Sequence, residues 1–232
     1  MYISLLHRAS PSYHKAFTLI ELLVVVGIFT LMTGLVLANY PRFDSQIVLE
    51  NTAHEVAIEV RQAQSYGLGV RESVTDADAF PGYGIHIPSL IGGFSRSVFM
   101  YADIPSLGSE DGDMRYAGGN TCVPGSGECV EMLTLRNHRI YAICGNMKAN
   151  LGAIAPFRKT TDIVASGAAA YCNKDSLDVT FTRPDPDAVM IGYVGGSEDS
   201  SAPYSDAEIV IATTGGDVRT VVIWSTGQIT VE

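Results

Sequence analysis

The sequence predicts an α+β protein: one long N-terminal helix, apolar in its first half and amphipathic in its second, packed on an antiparallel β domain. Three observations carry this. An almost uncharged apolar run fills Phe17–Ala38. Apolar residues at helical spacing follow it, from Leu49 to Gly67. From about Val70 onward the pattern changes to short β-prone runs separated by Gly, Pro, Asn and Asp. Many short strands beside one long helix make an α+β layer arrangement.

The apolar run reads FTLIELLVVVGIFTLMTGLVLA and has one ionisable group, Glu21. At 1.5 Å per residue it would span about 33 Å, enough for a bilayer core of about 30 Å. Residues 1–16 before it are mixed, with His7, Arg8, His14 and Lys15, and read as a leader peptide. Positive charge before the run, and none after it until Arg42, predicts a cytoplasmic N-terminus and an extracytoplasmic domain. Three processing schemes compete. A secretory signal peptide would be cut after Ala38, but its apolar region is ordinarily 7–15 residues and carries no carboxylate. A plain signal anchor explains the length and leaves Glu21 without a purpose, although a charge at mid-membrane costs roughly 2.5–3.5 kcal/mol. The third scheme explains the charge.

Lys15-Ala16-Phe17-Thr18-Leu19-Ile20-Glu21-Leu22-Leu23 resembles the class III signal of type IV prepilins and type II secretion pseudopilins. The resemblance implies a prepilin peptidase that cuts between Ala16 and Phe17 and methylates the new amino terminus. It implies partners as well: other pilin or pseudopilin subunits in a filament, and inner-membrane lipid before assembly. The family usually has Gly before the cut; Ala16 is small enough for a tight protease subsite. The chemistry of Glu21 can be read from the residues. Cleavage would turn the Phe17 amide into an ammonium group, and Glu21 lies four residues on, along the same helical face. In a filament, Glu21 of one subunit would pair with the Phe17 ammonium of a neighbour, because either charge alone in an apolar bundle is costly.

Past a break expected at Asn39-Tyr40-Pro41, Asp44 or Ser45 would cap an amphipathic helix half spanning 39–67. Leu49, Ala53, Val56, Ala57, Val60, Ala63 and Gly67 form its apolar stripe, with Glu50, Glu55, Glu59 and Arg61 off it. Gly67 and Gly69 end the helix. Gly34 and Pro41 are its expected weak points.

Nine strands are expected in 68–232: Tyr83–Ile87, Ser97–Ala102, Val130–Arg136, Ile140–Cys144, Leu177–Thr182, Ala188–Val194, Glu208–Thr213, Arg219–Ser225 and Gln228–Val231. Thr226-Gly227 reads as a hairpin turn, and Thr160–Tyr171 as short or irregular helix. This layout is similar to the H-type minor pseudopilin of the general secretion pathway.

Cys122, Cys129, Cys144 and Cys172 allow three disulfide connectivities in an exported chain. The preferred one joins Cys122 to Cys129 across a Pro/Gly-rich loop, and Cys144 to Cys172. Their spacing does not match a zinc site, and four free thiols would need a reducing compartment.

No cofactor is expected, with calcium as the alternative. The acidic group Asp103, Glu110, Asp111 and Asp113, and a second one of Glu198, Asp199, Asp206 and Glu208, do not match the EF-hand pattern and read as solvated loop charge. Net charge is −10, which disfavours nucleic acid as a partner. Arg136, His138 and Arg139 form the best basic patch and read as an exposed turn. No nucleophile elbow, zinc-protease helix or phosphate loop occurs, so an enzyme is not expected. The function expected is a structural subunit, a minor pilin or pseudopilin. The alternatives are a filament-tip subunit for DNA uptake or adhesion, and a secreted domain released after Ala38.

Overall fold

The computed structural model describes residues 17–73, 80–90, 93–105, 112–152 and 156–232, with only the backbone of 39–44. The chain divides into two units, Met1–Asp44 and Ser45–Glu232. A single helix, α1 (Leu19–Leu68), contributes to both. The break expected at Asn39-Tyr40-Pro41 does not occur, and neither Asp44 nor Ser45 caps a new helix, since helical backbone runs through 39–44. Pro41 removes one amide donor from the ladder; the turns on either side carry the helix past it.

Among the described residues of the second unit, ten strands form two antiparallel sheets. The first has the order β3-β2-β1-β5-β6-β7. It comprises β1 (Gly82–Ile87), β2 (Ser97–Asp103), β3 (Cys129–Thr134), β5 (Ser176–Phe181), β6 (Ala188–Val194) and β7 (Ser197–Glu198). The second has the order β10-β9-β8-β4 and comprises β4 (Arg139–Gly145), β8 (Asp206–Ala212), β9 (Val218–Trp224) and β10 (Ile229–Val231). All nine strands read from the sequence are present, with β7 added.

One core joins the helix to both sheets. Leu49, Ala53, Val56, Ala57, Val60 and Ala63 are fully buried on one stripe of α1. They cluster with Ile85, Ile87, Val98 and Met100 of the first sheet and with Ile143, Ile209, Ile211, Val221 and Ile223 of the second. Alternation sets these contacts, because side chains two apart on a strand share a face. Glu59 departs from expectation. It lies against the fold with 9 % of its surface exposed, and burial, with Glu131 and Glu55 nearby, pushes its carboxyl up to about 7. Gly67 ends the stripe where α1 meets β5; a Cβ there would overlap the Phe181 carbonyl.

The far face of the second sheet carries a smaller core. Val210, Ala212, Val218 and Cys144 pack there with Met147, Phe157, Ile163 and Ala168. These last residues come from α2 (Met147–Leu151), α3 (Thr160–Ala165), a 3-10 turn (Ala168–Ala170) and the chain before α3. Strand β8 is therefore buried along its whole length, as its continuous apolar character requires. The hairpin β9–β10 turns at Thr226-Gly227, with Gly227 at φ 78° and the Trp224 amide donating to the Gln228 carbonyl at 2.9 Å.

Candidate assembly site

The start of α1 is built by two residues of the signal. The Thr18 hydroxyl accepts from the Glu21 backbone amide at 3.3 Å, and the Thr18 carbonyl from the Leu22 amide at 3.2 Å. Thr18 is thus the N-cap and Glu21 the third helical residue, the T-x-x-E spacing of a capping box. Thr18-Leu19-Ile20-Glu21 is the sequence signal for this cap. Glu21 also places a carboxylate in the first turn, where the helix dipole favours it. No ion pair to Glu21 occurs among the described residues. Phe17 is 77 % exposed; Ala16 lies outside the described residues.

Beyond Glu21 the helix is bare. Leu19–Ala38 has a mean hydropathy of 2.4 and none of it is buried. By length and composition it can cross a membrane. Its two other hydroxyls fold back on the backbone: Thr30 donates to the Val26 carbonyl at 2.6 Å and Thr33 to the Phe29 carbonyl at 2.8 Å. Neither then presents an unsatisfied donor to a hydrocarbon environment.

Residues 11–37 match the prokaryotic N-terminal methylation motif. The chain carries the type IV pilin signature. No curated protein and no solved structure matches the chain. The motif supports a type IV pilin-like or pseudopilin-type subunit, and the signature implies processing by a prepilin peptidase and assembly with other pilin subunits. It marks a structural class of protein, usually without catalytic activity. The apolar helix fits a single-pass membrane anchor. The long helix followed by antiparallel sheets agrees with a pilin-like fold.

The remaining candidate site residues lie in the second unit. Cys122 is disulfide-bonded to Cys129 and Cys144 to Cys172. The first closes the loop before β3; the second ties β4 to the segment after the 3-10 turn.

The two acidic groups are not simply solvated loop charge, since Asp103, Asp206 and Glu208 are buried. Asp206 and Glu208 lie on β8, both buried, and not in a loop. Asp206 caps α2 from a distance, its two oxygens accepting from the Lys148 and Ala149 amides at 2.9 Å each. Burial pushes Glu208 up to about 7, against the pull of Lys148 at 3.9 Å. Asp199 pairs with Lys174 at 2.7 Å, and that contact holds its carboxyl well below the usual range. Glu198 pairs with Arg115 at 2.7 Å.

Asp103 is buried and accepts from the Met114 amide at 3.0 Å; burial pushes it up to about 6. Asp113 accepts from the Arg115 amide at 3.0 Å. Glu110 and Asp111 lie outside the described residues. Among the described residues no three His, Cys, Asp or Glu side chains converge as a metal site would need.

The basic turn is not a patch either. His138 is buried and shares a 2.9 Å hydrogen bond with the Thr52 hydroxyl on α1. The Arg139 guanidinium lies over the Phe94 ring at 5.0 Å. Only Arg136 of the three is exposed.

Proposed function

We propose that this chain is a minor pilin or pseudopilin, a structural subunit of a type IV pilus or a type II secretion pseudopilus. Prepilin peptidase cuts between Ala16 and Phe17 on the cytoplasmic side and methylates Phe17. The subunit waits in the inner membrane with its domain outside, then enters a filament through α1. One observation carries this reading: the methylation motif, residues 11–37, spans the capped start of α1, and Leu19–Ala38 is wholly uncovered among the described residues. An uncovered apolar helix of that length is stable in lipid or against copies of itself, and not in water. Helix continuity through residue 44 supports an anchor over a domain released after Ala38. The dispersal of the Arg136 turn supports protein over nucleic acid as the partner.

Assembly depends on Glu21 meeting the Phe17 ammonium of a neighbour. The Glu21→Gln variant keeps the shape and loses the charge. It is expected to accumulate in the membrane, processed and folded, and to be absent from sheared filaments. Incorporation of Glu21→Gln at the wild-type level contradicts the pairing.

A further inference from the structure

Strand β4 is an edge of the second sheet, and its ladder with β8 is irregular: the pairing register shifts between Ile140 and Ala142. Such a bulge re-aims side chains. Here the consecutive Tyr141 and Ala142 both line one open pocket of about 500 Å³. Ile163 and Val164 of α3, Ala169 of the 3-10 turn and Phe94 before β2 complete its apolar wall. The wall grades from buried Ile163 to Val164, which is 71 % exposed, so the pocket opens to solvent. Its volume lies within the range of small-molecule sites.

The charge of this pocket is opposite to that of the chain. Net charge is −10, yet among the described residues that line the pocket there is no Asp or Glu, and Arg139 is the one charged side chain. The Arg139 guanidinium rests over the Phe94 ring at 5.0 Å and has no ion-pair partner among the described residues. Of its three nitrogens only Nε is shut off from solvent, which leaves the two terminal ones open. Arg96 lies 6.0 Å from the same ring and adds a second positive charge nearby. Asp162, next to Ile163, does not offset them freely, because one of its oxygens already accepts from the Arg158 and Lys159 amides at 2.9 and 2.8 Å. A guanidinium stays protonated throughout the physiological range. The pocket thus sets one fixed, unpaired positive charge beside an apolar wall.

We propose that this pocket binds a medium-chain aliphatic carboxylate, its head paired with Arg139 and its chain laid along Phe94, Tyr141, Ile163 and Val164. A planar guanidinium with two open nitrogens matches a carboxylate in a two-pronged pair. The Tyr141 and Thr160 hydroxyls line the same pocket and supply further polar groups. A short hydrophilic anion would leave the apolar wall wet, and a neutral alkyl chain would leave the guanidinium unpaired, so each gains less than the amphiphile. The site lies in the second unit and does not rest on the filament reading.

The test uses the full chain in phospholipid nanodiscs, with isoleucine and valine methyl groups labelled in ¹³C. Octanoate is titrated in parallel with octanol, which has the chain without the charge, and acetate, which has the charge without the chain. Expected are saturable shifts of the Ile163 and Val164 methyl resonances at millimolar octanoate, with half-saturation at least about fivefold below that of octanol or acetate. Arg139→Gln should weaken octanoate by about fivefold and leave octanol unchanged. Val164→Asp, at an exposed position, should weaken octanoate by about tenfold, read at Ile163. Arg136→Gln, on the exposed turn, should change nothing. Uptake of octanoate into the lipid is common to all these chains, so it cancels in the comparison. Shifts that never saturate, or that octanol or acetate reproduces, overturn the proposal. So does saturation unchanged in both Arg139→Gln and Val164→Asp, which would place the carboxylate elsewhere.

Discussion

The two halves of α1 carry apolar residues in different patterns, and the patterns decide what each half requires. From Leu49 to Ala63 apolar side chains fall on one stripe, and the sheets cover that stripe completely. From Leu19 to Ala38 they fall all round, and none of that run is buried among the described residues. Both halves are helical, so local preference does not separate them. The first half differs in needing a medium that the chain does not supply, lipid or a bundle of like helices. The contrast places the packed core in the second unit, and on the proposed reading it leaves the first for assembly.

Truncation on the two halves breaks this comparison most sharply. Leu49→Ala removes a fully buried side chain and should cost about 2–5 kcal/mol of domain stability. Leu31→Ala, on the bare half, should leave domain unfolding in denaturant unchanged. Equal losses would mean that the bare half is part of the domain core.

The disulfides extend the test within the second unit. Loss of Cys144–Cys172, with a sequence separation of 28, should cost about 3–4 kcal/mol. Loss of Cys122–Cys129, with a separation of 7, should cost about 2–3 kcal/mol. Denaturant midpoints of Cys144→Ser with Cys172→Ser, and of Cys122→Ser with Cys129→Ser, rank the two. The reverse order would mean that the loop closed by Cys122–Cys129 contributes more than the layer over the second sheet.

The smallest effect is pH-dependent. Glu59, Glu128 and Glu208 are pushed by burial to about 7, and Asp103 to about 6. Each holds its proton more tightly folded than unfolded. The stability this gives is fully present below the ordinary carboxylate range and is lost as pH rises through about 7. Asp199 and Asp162 act oppositely: their carboxyls are lowered, so their contribution is lost as pH falls below the usual carboxylate range. Melting temperature should therefore rise by a few degrees from about pH 8 to about pH 5, then fall in stronger acid. Glu59→Gln should raise the value near pH 8 and flatten the slope. A melting temperature that climbs from pH 5 to pH 8 would contradict the burial of these carboxyls.

Much of this was legible in the sequence where the cause is local. The apolar run, the stripe on α1 and all nine expected strands follow from periodicity, and Thr226-Gly227 from turn chemistry. What was not legible depends on partners far along the chain. Helix α2 is five residues long and capped by Asp206, more than fifty residues away, so its start has no local sign. Asp206 reads as loop charge, and the burial of Glu208 at the start of its expected strand goes unsignalled, because nothing nearby in sequence announces the layer packed on that sheet. His138 looked like part of a basic turn, and its partner Thr52 is 86 residues away. The continuity of α1 past Pro41 shows that one proline does not end a long helix. At the candidate assembly site, the motif was legible because it is one continuous run of sequence, within residues 11–37. The pocket beside Arg139 was not, since its walls come from β4, α3, the 3-10 turn and the segment before β2.

The claim that organises this account is cleavage before Phe17, which creates the charge that Glu21 pairs with. It is tested by the mass of the N-terminal peptide of the protein isolated from membranes. The account predicts a peptide that begins at Phe17 and carries one methyl group on its amine. A peptide that begins at Met1 or at Asn39 would contradict it.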